Sequence, residues 1–264
     1  MIEGTLCIVR GGGDLATGVV HRLQRAGLRV IVLELEQPRA VRRMASVAQA
    51  MYAGEIQIEE LKARRVALAE ALSMDGAVIP VLADPEGVAI SRLRPAVVVD
   101  ARMAKAPLDT RTATAPFVVG LGPGFVAGEH CHAVVETHRG HDLGRVLWRG
   151  TAQPDTGEPE PVMGYRGERV LRAPAAGLLS TRMQIGAIVA AGQAIAFVDD
   201  KPVIAPFAGV LRGLLHHGLP VRAGEKLGDL DPRGQARYCF SISDKALAIG
   251  GGVVEAVLTW LRTR

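Results

Sequence analysis

Aromatic residues and lysines are scarce in this chain of 264 residues. Phe, Trp and Tyr make up 4% of the sequence, and only five of its 31 basic residues are lysines. Proteins that bind single-stranded nucleic acid combine a basic groove with aromatic side chains on which bases stack. No basic run here is interleaved with aromatic residues, so the net charge of +4 does not predict a nucleic-acid partner.

Long apolar runs are also missing. No stretch reaches the ~20 apolar residues that a membrane-spanning helix needs. Residues 1–4 lack the basic and then apolar plan of a signal peptide. We therefore expect a cytoplasmic protein with no membrane association. With 48% hydrophobic and 22% charged residues, the composition is that of an ordinary globular protein long enough for two modest domains.

Cysteine occurs only at Cys7, Cys131 and Cys239, without a C-x-x-C pair. An odd number of widely spaced cysteines excludes a disulfide framework and a four-cysteine zinc site. Possible metal ligands are densest in residues 130–141. On a strand, however, His130 and His132 face the side opposite to Cys131, so the triplet cannot easily bind one ion. We predict free thiols and no metal site.

One segment of the chain is repeated at a fixed distance. Residues 173–177 return as 205–209, and residues 186–192 return as 218–224, both at an offset of 32. A constant period in two glycine-bearing blocks indicates a duplicated β unit whose halves bury their apolar faces against each other. The halves resemble the hammerheads of the barrel-sandwich hybrid of lipoyl and biotinyl carrier domains. The short hairpin at Lys201, next to Pro202, favours a structural or docking barrel over a carrier.

The first half begins with the pattern of a nucleotide-type α/β unit. A β-rich run at residues 5–9 precedes a glycine-rich loop and a helix, and a second strand follows at residues 29–34. Gly11-x-Gly13-x-x-Ala16 fits the dinucleotide fingerprint in this context, in which backbone N–H groups at the helix N-terminus bind phosphate. The carboxylate of Asp14 would repel a bound phosphate unless a cation or a proton lies between them. Phosphate binding and a tight turn without a ligand stay open.

Further strands are predicted at residues 77–82, 96–100, 117–121 and 133–136, with a helix at 65–72. Short Val-rich strands indicate a mostly parallel sheet. The predicted fold class is α/β: a Rossmann-like domain over 1–150, a linker over 151–168, a barrel-sandwich hybrid over 169–236, and a C-terminal helical segment over 237–264 that returns to the α/β domain. Ligands of such sheets bind beyond the carboxyl ends of the strands.

Five motifs, taken in order, resemble the YqeB-type selenium-dependent molybdenum hydroxylase system proteins. They cover residues 10–18, 99–105, 120–125, 136–141 and 242–246. The N-terminal half is also similar to the Rossmann domain of XdhC-type chaperones. The resemblance implies an accessory protein that helps to mature or load a molybdenum centre. Its implied partners are a molybdenum hydroxylase client and a molybdopterin-type cofactor or nucleotide; a homo-oligomer is possible.

The candidate site collects residues at the predicted strand ends. Cys131 is the candidate sulfur-relay thiol, because protonated His130 and His132 could stabilise its thiolate. Lys105 is either the ion-pair partner of Asp100 or a group that faces substrate. The candidate cofactor-binding residues are Gly11, Gly12, Gly13, Asp14, Thr17, Gly18, Glu34, Asp100, Gly122, Gly124, Thr137, Arg139 and His141. Whether a reaction is catalysed stays open, and the alternatives are an NAD(P)-dependent oxidoreductase and a non-catalytic scaffold.

Overall fold

The computed structural model describes residues 4–104, 109–157 and 160–263. The chain forms two compact units. Unit 1 consists of Met1–Pro38, Ser46–Asp155 and Ile242–Arg264, and unit 2 of Arg39–Ala45 and Thr156–Ser241. No helix within the described ranges is long and apolar enough to cross a membrane. The cytoplasmic location stays a prediction.

Unit 1 is built from eleven strands and five α-helices in its described residues. The strands are β1 (Leu6–Arg10), β2 (Arg29–Glu34), β3 (Glu55–Ile58), β4 (Leu61–Arg65), β5 (Val78–Ala83), β6 (Val97–Asp100), β7 (Phe117–Leu121), β8 (Val126–Ala127), β9 (Ala133–Val135), β10 (Val146–Leu147) and β11 (Gly150–Thr151). The helices are α1 (Asp14–Arg25), α2 (Ala50–Ala53), α3 (Leu68–Ser73), α4 (Val88–Leu93) and α5 (Asp244–Leu261).

Nine of these strands form one mixed sheet in the order β10-β9-β7-β6-β1-β2-β5-β4-β3. The interior pairs are parallel, whereas β3 and β10 pair antiparallel at the two edges. β8 and β11 form a separate two-stranded ribbon. In the register of the central strands, Arg10 of β1 lies beside both Leu33 and Asp100. The parallel register therefore brings the carboxyl ends of β1, β2 and β6 to one edge.

Helices α1 and α5 pack against each other and share one core with the sheet. α1 contributes Val19, Val20 and Leu23, and α5 contributes Ile249 and Val253, all fully buried. Ser243 caps α5 by accepting a hydrogen bond from the N–H of Ala246 at 3.2 Å. The amino ends of both helices lie next to strand ends, and α1, unlike α5, has no side-chain cap for its first N–H groups.

The predicted fold class, a Rossmann-like mostly parallel domain followed by a barrel-sandwich hybrid, is wrong. The sheet is large and mixed, and an antiparallel strand closes each edge. The sequence did not predict this sheet because some of its strands contain few consecutive apolar residues. β3 and β4 have alternating exposed polar residues, and β4 ends at Arg65, inside the segment predicted to be helical. The helix itself begins later, at Leu68.

Unit 2 contains β12 (Val170–Arg172), β13 (Gly177–Thr181), β14 (Ile188–Val189), β15 (Ala194–Val198), β16 (Lys201–Ile204), β17 (Gly209–Leu214), β18 (Pro220–Val221) and β19 (Lys226–Asp231). They form two four-stranded sheets, β12-β19-β17-β14 and β16-β15-β13-β18. Strands β12 to β15 and β16 to β19 are the two sequence repeats, so each sheet takes two strands from each repeat. This exchange explains why neither repeat can bury its apolar face alone.

Lys201 is the first residue of β16 and pairs with Val198 across a two-residue turn. It therefore lies within the ladder and not at the tip of a hairpin. Unit 2 extends beyond the predicted end at residue 236, because Cys239 is part of its core. Unit 2 also includes Arg39–Ala45, where the carbonyl of Val41 accepts a hydrogen bond from Leu214 at 2.8 Å. No pattern in the sequence indicated this distant segment.

Candidate functional site

The glycine-rich loop connects β1 to α1. Most of the hydrogen-bonding groups of its backbone are already paired with other groups of the protein. Gly11 has a φ of +90°, and a Cβ there would lie 3.1 Å from the Cα of Arg102. Its N–H donates to the carbonyl of Leu33 at 2.8 Å. The N–H of Gly12 donates to Glu34 Oε2 at 2.7 Å, and the Gly12 carbonyl accepts from Ala48 at 2.9 Å. Two of the three predicted phosphate-binding N–H groups are therefore already paired.

The distance from the glycine loop makes Glu34, with Glu36 as the alternative, the acidic residue expected to hold a nucleotide ribose. The Glu34 carboxylate instead accepts the N–H groups of Gly12 and Leu35, each at 2.7 Å. Burial raises the pKa of Glu34, and the two backbone hydrogen bonds oppose this shift. The carboxylate thus fixes the conformation of the loop, which leaves it poorly placed for a ribose.

Thr17 and Gly18 hold α1 in its packing position. The Thr17 hydroxyl donates to the Gly13 carbonyl at 2.9 Å and accepts the N–H of Val47 at 3.0 Å. Gly18 faces α5, where an added Cβ would overlap the carbonyl of Ala246. Both predicted cofactor-binding residues are buried and act in helix packing.

The free part of the loop is Gly13, where α1 begins. It is the N-cap residue, and no side chain caps the helix there. A Cβ on Gly13 would meet no heavy atom of the described residues within 4 Å. A side chain at Gly13 would therefore have room among the described residues, close to the positive end of the helix dipole.

Lys245 lies in the first turn of α5 and carries its charge into the same region. Burial lowers the pKa of its ammonium group, and Asp14 is the largest of the charges that raise it. Glu136 and Asp155 also raise this pKa, whereas Arg139 lowers it. Lys245 is half-buried, and its ammonium group forms neither a hydrogen bond nor an ion pair within 4 Å with any residue of the described ranges. We call Gly13, Asp14 and Lys245 the Lys245 site.

The loop after β9 borders this site and is internally fixed. Glu136, 2% exposed, accepts the N–H groups of His138 at 2.6 Å and Gln153 at 2.8 Å. Arg139 donates two hydrogen bonds to Asp244, at 2.7 and 2.9 Å. The predicted anion-binding guanidinium is thus already paired with a carboxylate at the start of α5.

Four other predicted residues lie in this loop and in the neighbouring one. Gly122 has a φ of +69°, and a Cβ there would overlap the hydroxyl oxygen of Thr137. Thr137 is buried, so both residues serve the close approach of two loops. Gly124 also has a positive φ, +99°, and His141 is exposed. No contact in the described chain brings His141 or Gly124 to the Lys245 site.

Asp100, at the end of β6, belongs to a partly buried ionic network. It accepts hydrogen bonds from Arg102 and from the hydroxyl of Thr110. Arg10, 3% exposed, donates to both oxygens of Asp109 at 2.8 and 2.9 Å. Arg102 links the two carboxylates. Lys105, the predicted partner of Asp100, lies outside the described residues.

Cys131 lacks the accessibility that a sulfur-relay thiol needs. It is fully buried, and burial raises the pKa of its thiol to about 11. His130 and His132 each accept a backbone N–H through Nδ1, from Val126 and Val118, so their rings serve the backbone. Burial also raises the pKa of Cys7, to about 12. The reason given for a thiolate at Cys131 is therefore wrong.

We expect none of the three thiols to react in the native protein. All are 0% exposed, and raised pKa values suppress the reactive thiolate at neutral pH. Iodoacetamide at pH 8, followed by intact-mass measurement, should show no adduct within minutes and three adducts after unfolding in urea. An adduct on Cys131 in the folded protein would restore this residue as a relay candidate.

The structure thus assembles a smaller site than the one predicted. Gly13 and Asp14 remain at its centre. Lys245 lies in the motif over residues 242–246 but is not among the predicted site residues. The signal that could have found it is the sequence Ser243-Asp244-Lys245, which places a lysine in the first turn of a helix. Within the described ranges, no group of three or more His, Cys, Asp or Glu side chains is arranged to hold a metal ion.

The fold and the site define an α/β protein in which two helix N-termini and a half-buried lysine meet beyond the carboxyl ends of a mixed sheet. No family model matches the chain. Over 255 residues, 96% of this chain, it is 47% identical to the Escherichia coli K12 protein described as "Uncharacterized protein YqeB". This match supports the YqeB family. The chain spans about half the length of that relative, since the match covers 47% of it.

Solved structures match the chain at low similarity. An aspartoacylase family protein from Mesorhizobium loti is 13% identical with a TM-score of 0.28, covering 86% of this chain and 85% of its own. A succinylglutamate desuccinylase/aspartoacylase from Rhodobacter sphaeroides is 14% identical with a TM-score of 0.27 and the same coverage. TM-scores of this size do not support any inference about the activity of this chain. The Rossmann-like prediction is contradicted by the mixed sheet with antiparallel edge strands, not by these similarities.

Proposed function

We propose that this chain binds a phosphate-bearing small molecule at the Lys245 site and acts as an accessory protein in the maturation of a molybdenum hydroxylase. The observation that supports binding is the half-buried Lys245 ammonium, which lacks a direct partner among the described residues. It lies where the N-termini of α1 and α5 come together. A phosphate group would supply the missing acceptors for the ammonium and for the N–H groups of α1.

The charge of Lys245 also compensates for Asp14, whose carboxylate would otherwise disfavour phosphate at this helix end. A carboxylate at the amino end of a phosphate-binding helix repels an anion. The electrostatic interaction between Asp14 and Lys245 offsets this repulsion, since the two opposite charges lie in one region. The same pair would make binding selective for ligands that carry more than one negative charge or a donor group for Asp14.

The maturation role rests on the motif resemblance and on the relationship to YqeB. In this role the ligand is a molybdopterin-type cofactor or a nucleotide, the partner is the molybdenum hydroxylase client, and the setting is the cytoplasm. Unit 2 would serve as the docking module for the client. A homo-oligomer stays a prediction.

Lys245→Gln should weaken ligand binding about tenfold or more, because a charge-assisted hydrogen bond to phosphate is lost. Calorimetry with CTP, ATP, NADPH and inorganic phosphate measures the affinities. Lys62→Gln, which removes an exposed lysine of the same unit, is the matched control and should bind like the wild type. Gly13→Val should also abolish binding without unfolding the protein, because its side chain would enter open space.

Unchanged affinity in both Lys245→Gln and Gly13→Val would disprove the assignment to this site. Binding of NADPH with substrate turnover would favour the oxidoreductase alternative, against which the paired carboxylate of Glu34 already argues. No binding of any ligand would leave a scaffold. The maturation role has its own test: cells that carry Lys245→Gln should lose client hydroxylase activity while the amount of client protein stays the same.

A further inference from the structure

Unit 2 contains two buried carboxylates surrounded by arginines. Asp229 and Asp231 lie on β19, with side chains 9% and 1% exposed. Arg169 contacts Asp229 at 3.4 Å. Arg233 donates through Nε and Nη2 to Asp231, at 2.9 and 2.6 Å. Each carboxylate therefore already has an arginine partner of its own.

Arg212, on β17, is a further cation in this group. Its nitrogens lie 3.7 Å from Asp229 and 3.8 Å from Asp231, beyond hydrogen-bond length. Its side chain is 16% exposed, and its buried Nε has no acceptor. Among the described residues the whole guanidinium forms no hydrogen bond. Leaving a buried N–H donor such as this Nε without an acceptor is energetically costly.

Other positive charges lie close to Arg212. Burial lowers the pKa of Arg212, and the charges of Arg42 and Arg233 lower it further, against the opposing effect of the two aspartates. The guanidinium groups of Arg233 and Arg237 lie over the ring of Tyr238, at 4.6 and 4.7 Å from its centroid. Arg233 and Arg237 are exposed, so the cluster extends from a buried arginine to the protein surface.

We propose that Arg212 is the centre of a second binding site, on unit 2, for a small oxyanion such as phosphate or a phosphate ester. Arg233 and Arg237 form its solvent side. A guanidinium binds two oxygens of an oxyanion in a bidentate manner, which would satisfy the donors that Asp229 and Asp231 do not reach. This site lies in unit 2 alone and does not depend on the function proposed for unit 1.

The test is the melting temperature as a function of inorganic phosphate or glycerol phosphate, with chloride added to constant ionic strength. The full chain carries Lys245→Gln, so that the Lys245 site does not contribute. Binding should raise the melting temperature by about 5 °C at roughly a hundredfold excess over the dissociation constant. Phosphate also stabilises proteins by exclusion from their surface. The measured quantity is therefore the difference between variants.

Arg212→Met should lose the ligand-specific rise and melt at a higher temperature in chloride alone, because an unsatisfied buried cation has been removed. Arg222→Met, which alters an exposed arginine of unit 2, should keep the rise. If the methionine variant does not fold, Arg212→Lys should fold and bind at least about tenfold more weakly, because bidentate contact is lost. A rise that persists in Arg212→Met, or no specific rise with either ligand, would overturn the proposal.

Discussion

Gly250→Ala is expected to lower the free energy of unfolding by about 3 kcal/mol. In α5, this glycine lies directly against α1. An added Cβ would overlap the carbonyl of Gly18 and lie 2.8 Å from Cγ of Arg22. The atoms that it meets are mainly backbone, which cannot move away as a flexible side chain does. The two helices would have to separate, and their shared core with the sheet would lose packing.

The matched control is the neighbouring Gly251→Ala. Gly251 lies in the same helix, and a Cβ there would meet nothing within 4 Å in the described part of the chain. This substitution should raise the free energy of unfolding by about 1 kcal/mol, because alanine favours the helix over glycine. Urea unfolding followed by circular dichroism measures both. Equal effects of the two substitutions would mean that α1 and α5 do not approach as closely as the structure shows.

Asp109→Ala is expected to lower the free energy of unfolding by about 2 kcal/mol. The substitution leaves Arg10, with a side chain 3% exposed, without its carboxylate partner, and Arg10 and Arg102 then face each other across the gap. The cost is less than for a fully buried pair, because the Asp109 side chain is 51% exposed. Asp200→Ala, at an exposed aspartate of unit 2, should change stability by less than about 0.5 kcal/mol.

The same network predicts a pH dependence. The hydrogen bonds from Arg10, followed by those from Arg102, hold the pKa of Asp109 well below its usual range, against the opposing effect of burial. A carboxyl group with a depressed pKa in the folded protein adds to the free energy of unfolding. This contribution is complete above the pKa of the unfolded chain, about 4, and is lost as the pH falls through the pKa of the folded protein. Urea midpoints measured from pH 7 to pH 2 should therefore fall less steeply below pH 4 in Asp109→Ala than in the wild type. Parallel curves would exclude Asp109 from the acid response.

The sequence by itself determined the elements that have a strong local signal. The Val-rich runs became β1, β2, β5, β6 and β7 within one or two residues of the expected positions, because buried strands need continuous apolar residues. The offset of 32 residues identified the duplicated strands of unit 2, since equal sequence gives equal local structure. Gly11 and Gly13 correctly marked the turn between the strand β1 and the helix α1.

Only the tertiary structure decided what each residue at the strand ends does. Whether a glycine N–H binds a ligand depends on competing acceptors, and Glu34, 22 residues later in the chain, takes the N–H of Gly12. The accessibility of Cys131 depends on what covers it, which strand alternation does not specify. Lys245 joins Asp14 because close-packed glycines bring two helices together that are more than 200 residues apart in the chain. Such long-range pairings leave no local period in a sequence, so charge, burial and site geometry were set by packing.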